Sequence, residues 1–168
     1  MPRLPSPPRT PWGDFPDVLI HASESAVKQH PAYWAAKTGS GGAALALVND
    51  TMSDQANQRL LNLMQGHAPT LVSAHAYERE GVNAIPEIFA DELSKALGWP
   101  VDNGVLQINA VGHTGADGFS RLARQARFAG AIQPHGEYVL VDDFIGMGGT
   151  LANLKGHIES NGGRVLAA

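Results

Sequence analysis

The 168-residue chain has no cysteine, which excludes disulfides and thiolate metal sites. It has no apolar run near the ~20 residues that a membrane-spanning helix needs. Its first residues lack the apolar core of a signal peptide. A soluble, cytoplasmic protein with no membrane partner is the expectation. Charge of one sign is scarce as well: 12 Lys and Arg stand against 16 Asp and Glu, a net charge of −4. Bulk electrostatics therefore do not favour a nucleic-acid partner. Among the seven histidines, His75, His113 and His157 lack metal-ligand spacing.

Glycine and proline are plentiful. Nineteen glycines fall largely at boundaries between loops and helices, as in an α/β fold. Six prolines (Pro2, Pro5, Pro7, Pro8, Pro11, Pro16) mark residues 1–16 as a proline-rich, flexible arm, extended or disordered. The length suits one domain able to bury about 70% of its unfolded surface.

Residues 17–68 form a helical N-terminal region. Residues 17–38 are mostly helical with a break at His30-Pro31, and Tyr33 and Trp34 are expected to pack in this layer. Ser40 caps a helix running to about Val48, with Ala43, Ala44, Leu47 and Val48 as its apolar stripe. Another helix begins at Ser53 or Asp54, places Ala56, Leu60, Leu63 and Met64 on one face, and ends at Gly66.

Residues 69–168 alternate strands and helices. Thr70–Ala74 reads as a buried strand. After a polar loop, Pro86 suits the first turn of a helix, whose stripe is Ile85, Ile88, Phe89, Leu93, Ala96 and Leu97 and whose stop is Gly98; Trp99 packs at its end. Val105–Ile108 is a second strand. The long segment Asn109–Glu137 carries a helical piece, about Gly118–Ala129, capped by Asp117. Tyr138–Val141 is a third strand. A helix burying Leu151, Leu154 and Ile158 follows, then Gly162-Gly163 and a fourth strand from Arg164. This order implies a parallel sheet flanked by helices, with right-handed crossovers and with ligands at the carboxyl ends of its strands. The last strand stops as it begins, so the expectation is a fragment with a truncated C-terminal end, or an edge covered by a second subunit of a homodimer.

The most informative stretch is 138–150, Tyr-Val-Leu-Val-Asp-Asp-Phe-Ile-Gly-Met-Gly-Gly-Thr. A buried strand delivers Asp142 and Asp143 to its carboxyl end. Two acids there can hold sugar hydroxyls or share a metal. A glycine loop then opens a helix, where backbone N–H groups can cradle a phosphate. A Walker A reading fails because no Gly-Lys-Ser/Thr follows the glycines. A dinucleotide fingerprint is weaker, because the acids precede the glycines.

Val-Leu-Val-Asp-Asp-x-x-x-x-Gly-Gly-Thr-Leu resembles the phosphoribosyl-pyrophosphate (PRPP) motif of type I phosphoribosyltransferases. The resemblance implies that Asp142 and Asp143 hold the ribose and act as the catalytic acids, and that Gly146, Met147, Gly148, Gly149 and Thr150 hold the 5-phosphate. It implies a pyrophosphate loop at Arg79, Glu80 and Gly81, and a lid bringing Arg121 and Arg124 to the pyrophosphate. Mg²⁺ is the implied cofactor, reached by Asp142 and Asp143 through ribose hydroxyls or water. The implied activity is phosphoribosyl transfer from PRPP to an unidentified nitrogenous acceptor with release of pyrophosphate, the helical region 17–68 supplying a hood. Met147 and Gly146 depart from the family pattern. With the acidic first loop, they leave open a non-catalytic PRPP- or nucleotide-binding regulatory module of the same fold; a third reading is a phosphate-binding α/β protein such as a sugar-phosphate hydrolase.

Overall fold

The computed structural model describes residues 5–76, 82–109, 125–143 and 148–168. Its helical N-terminal region holds α1 (Glu24–Lys28), α2 (Tyr33–Lys37), α3 (Gly41–Thr51) and α4 (Asp54–Met64). Ser23, Ser40 and Ser53 cap α1, α3 and α4, each side-chain oxygen accepting from an amide three residues on. Each cap satisfies one of the N–H groups that a helix start leaves without a partner. The region is less helical than its sequence suggests. Residues 17–22 form no helix, and α1 and α2 are five residues each. Between those two helices His30 Nδ1 accepts from Ala32 N at 3.1 Å, a local bond that competes with helix continuation. Tyr33 is buried as expected, whereas Trp34 is 73% exposed.

Three strands form the main sheet: β1 (Thr70–Ser73), β4 (Glu137–Val141) and β5 (Arg164–Ala167), all parallel in the order β1-β4-β5. Helix α5 (Ile85–Leu97) follows β1, and α6 (Gly149–Ser160) joins β4 to β5. The alternation along β4 decides the two faces. Tyr138 and Leu140 pack with Val72 against Leu151, Leu154 and Ile158 of α6. Val139 and Val141 pack with Leu71 against Leu60 and Met64 of α4, Leu93 of α5, and Trp99. A third cluster joins α1, α2 and α3 to Ile85. The result is a mixed α/β domain: a small parallel sheet between helices, with the N-terminal helices outside α5.

The second strand expected at Val105–Ile108 is not a full member of this sheet. Residues 106–107 form β2 (Leu106–Gln107), which pairs antiparallel with β3 (Phe128–Ala129). Among the described residues, isolated parallel bridges join Leu71 of β1 to Val101, and Ala76, beyond the end of β1, to Gln107. The interruption has a local cause. Asp102 Oδ1 accepts from Gly104 N at 2.8 Å, an Asx turn that bends the chain between the two bridges. The expected helical piece Gly118–Ala129 is corrected at its end: residues 125–127 are not helical and 128–129 are β3. Its start at 118–124 lies outside the described residues.

The proline-rich arm is extended from residue 5 and lies on α6. Arg9 Nε donates to Asn153 Oδ1 at 2.6 Å, and Lys155 Nζ donates to Thr10 Oγ1 and Pro11 O at 2.7 and 2.8 Å. The chain then crosses to β5, where Leu19 N donates to Ala168 O at 3.0 Å.

Candidate functional site

Strand β4 carries the acid pair to the carboxyl end of the sheet because Tyr138 to Val141 are all buried and the strand stops there. Asp143 N donates to Asp142 Oδ1 at 2.8 Å. The side chain of Asp143 is only 8% exposed. Its Oδ2 accepts from Lys37 Nζ at 2.5 Å and from Asn83 Nδ2 at 2.8 Å. Lys37 is the last residue of α2. Asn83 precedes α5, where its Oδ1 also accepts from Ile85 N at 3.1 Å. Three segments far apart in the chain thus converge on one carboxylate.

The two acids titrate in opposite directions. Burial pushes the Asp142 carboxyl well above the usual carboxylate range, and the neighbouring charge of Asp143 pushes it further. Burial also opposes ionisation of Asp143, but the Lys37 ammonium and the hydrogen bonds from Lys37, Asp142 and Asn83 outweigh it and hold that group low. The pair is thus biased toward a proton on Asp142 and a negative charge on Asp143 that faces the Lys37 ammonium. Like charges this close do not both ionise readily.

Beside the pair lies a cavity of about 140 Å³, walled by Leu19, His21, Val27, Phe89 and Val141 and reaching Asp142. Drug-sized ligands and cofactors occupy sites of roughly 300–1,000 Å³. His21 Nδ1 accepts from Ser53 N at 3.0 Å, and burial pushes its pKa down to about 4. The lowered pKa favours the neutral imidazole, whose Nδ1 is then free to accept the Ser53 amide.

Of the residues implicated by the sequence, Asp142 and Asp143 stand together at the end of β4. Gly148 is the N-cap of α6 at φ +73°, a left-handed conformation that suits glycine, and Gly149 and Thr150 are its first residues. Gly146 and Met147 lie outside the described residues, as do Arg79, Glu80, Gly81, Arg121 and Arg124. No three His, Asp or Glu gather among the described residues, and Asp143 carries the Lys37 ammonium on its Oδ2. Lys37, Asn83 and His21 were not visible as site residues in the sequence. None has a local signature: Lys37 stands 106 residues from its partner.

No family model matches the chain, and no solved structure matches it. Two curated proteins do. Protein TraN of Escherichia coli is 41% identical over 160 residues, which are 95% of this chain and 36% of that protein. An uncharacterized protein of Haemophilus influenzae is 38% identical over 151 residues, 89% of this chain and 34% of that protein. The chain spans about a third of the length of these curated relatives.

These findings overturn the phosphoribosyltransferase resemblance. The similarity over nearly the whole chain runs to Protein TraN, and no phosphoribosyltransferase family matches. The expected transfer of a phosphoribosyl group from PRPP, and the assignment as an enzyme, fall with it. The physical reason is visible at the acid pair. A short strand–acid–acid–glycine–helix string specifies a local shape, and here Asp143 of that shape is engaged by Lys37 and Asn83 of the chain itself. Among the described residues, no helix is long and apolar enough to cross a membrane.

Proposed function

We propose that this chain is a non-catalytic interaction domain of a longer TraN-like protein, and that it serves conjugal transfer. The observation that carries the reading is the 41% identity to Protein TraN across 95% of the chain. Identity spread over the whole length, rather than confined to a motif, favours a shared domain with a shared task. The geometry of the acid pair supports the same reading. Asp143 ties α2 and the start of α5 to the end of β4, so its role is to hold the helical layer on the sheet.

A domain exchange tests this. The matching third of E. coli Protein TraN is replaced by this chain, and transfer frequency is measured in a strain lacking the native gene. Restored transfer is the expected outcome. A chimera present at the native level that leaves transfer abolished sinks the proposal, provided that the parent TraN restores it in the same strain.

A further inference from the structure

Helix α6 contains a glycine, Gly156, well inside its span. Glycine in a helix interior costs about 1 kcal/mol relative to alanine, so its presence there asks for a reason. The reason is the arm. A Cβ on residue 156 would stand 1.9 Å from the carbonyl oxygen of Pro8 and 2.8 Å from Cα of Arg9. The backbone of the arm therefore rests directly on the backbone of the helix, and only glycine leaves room for it.

The side chains around Gly156 fit the same segment. Asn153 and Lys155 are 2% and 3% exposed although both are polar. Asn153 receives its hydrogen bond from Arg9. Lys155 Nζ is held by Thr10 Oγ1, Pro11 O and its own Glu159 at 2.9 Å. Trp12 lies over that ammonium, 5.3 Å from nitrogen to ring centre. Arg127, next to β3, donates to Pro5 O. An extended proline-rich segment makes no internal hydrogen bonds, so its carbonyls are free for basic donors of this kind. Beyond Trp12 the chain turns at Gly13, at φ +54°, and Phe15 N donates to Trp12 O at 3.1 Å across that turn.

We propose that the face of α6 around Gly156 is a recognition surface for an extended proline-rich segment, filled in cis by residues 5–12 and open to the same arm of a second copy when the cis arm is displaced. The surface is distinct from the acid pair, and it stands whether or not the domain acts in transfer.

The test uses full-length chains and a fluorescein-labelled peptide of residues 5–16, read by anisotropy. In the native chain the cis arm competes, and the peptide binds weakly. Arg9→Ala/Thr10→Ala loosens the cis arm and leaves the face intact, and peptide affinity is expected to rise about tenfold, the effect of losing two modest hydrogen bonds. Gly156→Ala also frees the arm but blocks the face, and peptide binding is expected to vanish. Thermal melts confirm that each variant is folded. A folded Arg9→Ala/Thr10→Ala chain that binds no peptide overturns the proposal. So does a Gly156→Ala chain that binds it as tightly as that double variant.

Discussion

Lys37 Nζ and Asp143 Oδ2 meet at 2.5 Å although 106 residues separate them. The pair joins the end of α2 to the end of β4. Lys37 is 30% exposed at its side chain and Asp143 only 8%, so the carboxylate depends on the lysine more than the reverse. Removing one partner of a buried pair typically costs about 3–5 kcal/mol; with Lys37 partly in water and Asn83 still donating, roughly 1–3 kcal/mol is expected for Lys37→Met. The double variant Lys37→Met/Asp143→Asn removes the charge that was left behind and should recover part of the loss. Urea unfolding of the four chains gives the coupling energy. A coupling of zero would show that the pair holds nothing together.

The acids also set a pH dependence of opposite sign at the two positions. Asp142 binds its proton more tightly in the fold than in the unfolded chain, chiefly through burial and then through the charge of Asp143. Its contribution is complete below the unfolded value near 3.8 and is lost as pH rises through the raised folded value. Asp143 is held low, so its contribution is present above 3.8 and is lost as pH falls through the folded value. Asp142→Asn should therefore gain stability over the native chain as pH rises toward neutrality. Asp143→Asn should lose stability at neutral pH and lose nothing further in acid. Denaturant midpoints measured from pH 3 to pH 8 separate the two, and parallel profiles for both variants would contradict the assignment.

His21 adds an acid-labile contact at the cavity wall. Its ring packs edge-on to Phe89 with centroids 4.8 Å apart and accepts the amide of Ser53. Burial favours the neutral form and lowers the pKa from 6.5 to about 4. The fold therefore has the full contribution of this group above 6.5 and loses it as pH falls through about 4. His21→Phe keeps the ring contact and deletes the acceptor. It should cost roughly 1 kcal/mol at pH 7 and flatten the stability profile between pH 6.5 and 4. A variant profile as steep as the native one there would place the titration elsewhere.

Local signals in the sequence found local structure. The serines at 40 and 53 cap the helices expected of them, Pro86 sits in the first turn of α5, and the buried run 138–141 is the central strand. What escaped was what depends on partners far along the chain. Val105–Ile108 has the apolar look of a sheet strand, yet its pairing was decided by the turn at Asp102 and by Phe128. Trp34 looks like core and is exposed, because five-residue α2 turns Tyr33 and Ala36 inward instead. Asp142 and Asp143 were legible as a pair at a strand end, but a carboxylate pair does not announce its counterion. Lys37 on α2 ties the pair to the helical layer. Gly156 was a local signal that could have been read: an interior helical glycine marks a close backbone approach.

Gly130 tests the small antiparallel pair in the same way. It follows β3 at φ +136°, and a Cβ there would lie 2.4 Å from Gly104 O and 2.8 Å from Val105 Cα. Both obstacles are backbone, so no side chain can rotate away. The strain of a left-sided φ and the clash act together, and Gly130→Ala should cost about 3 kcal/mol or more. Val105 is fully buried against the sheet, so backing away would also disturb the cluster that holds Phe128, Leu140 and Leu154. Gly42→Ala in the first turn of α3 is the matched control: nothing lies within 4 Å of its new Cβ, and the change should be neutral or stabilise by up to about 1 kcal/mol. Guanidinium midpoints with unchanged slopes measure both. A Gly130→Ala chain as stable as the Gly42→Ala chain would mean that residues 104–105 and 130 do not pack backbone to backbone.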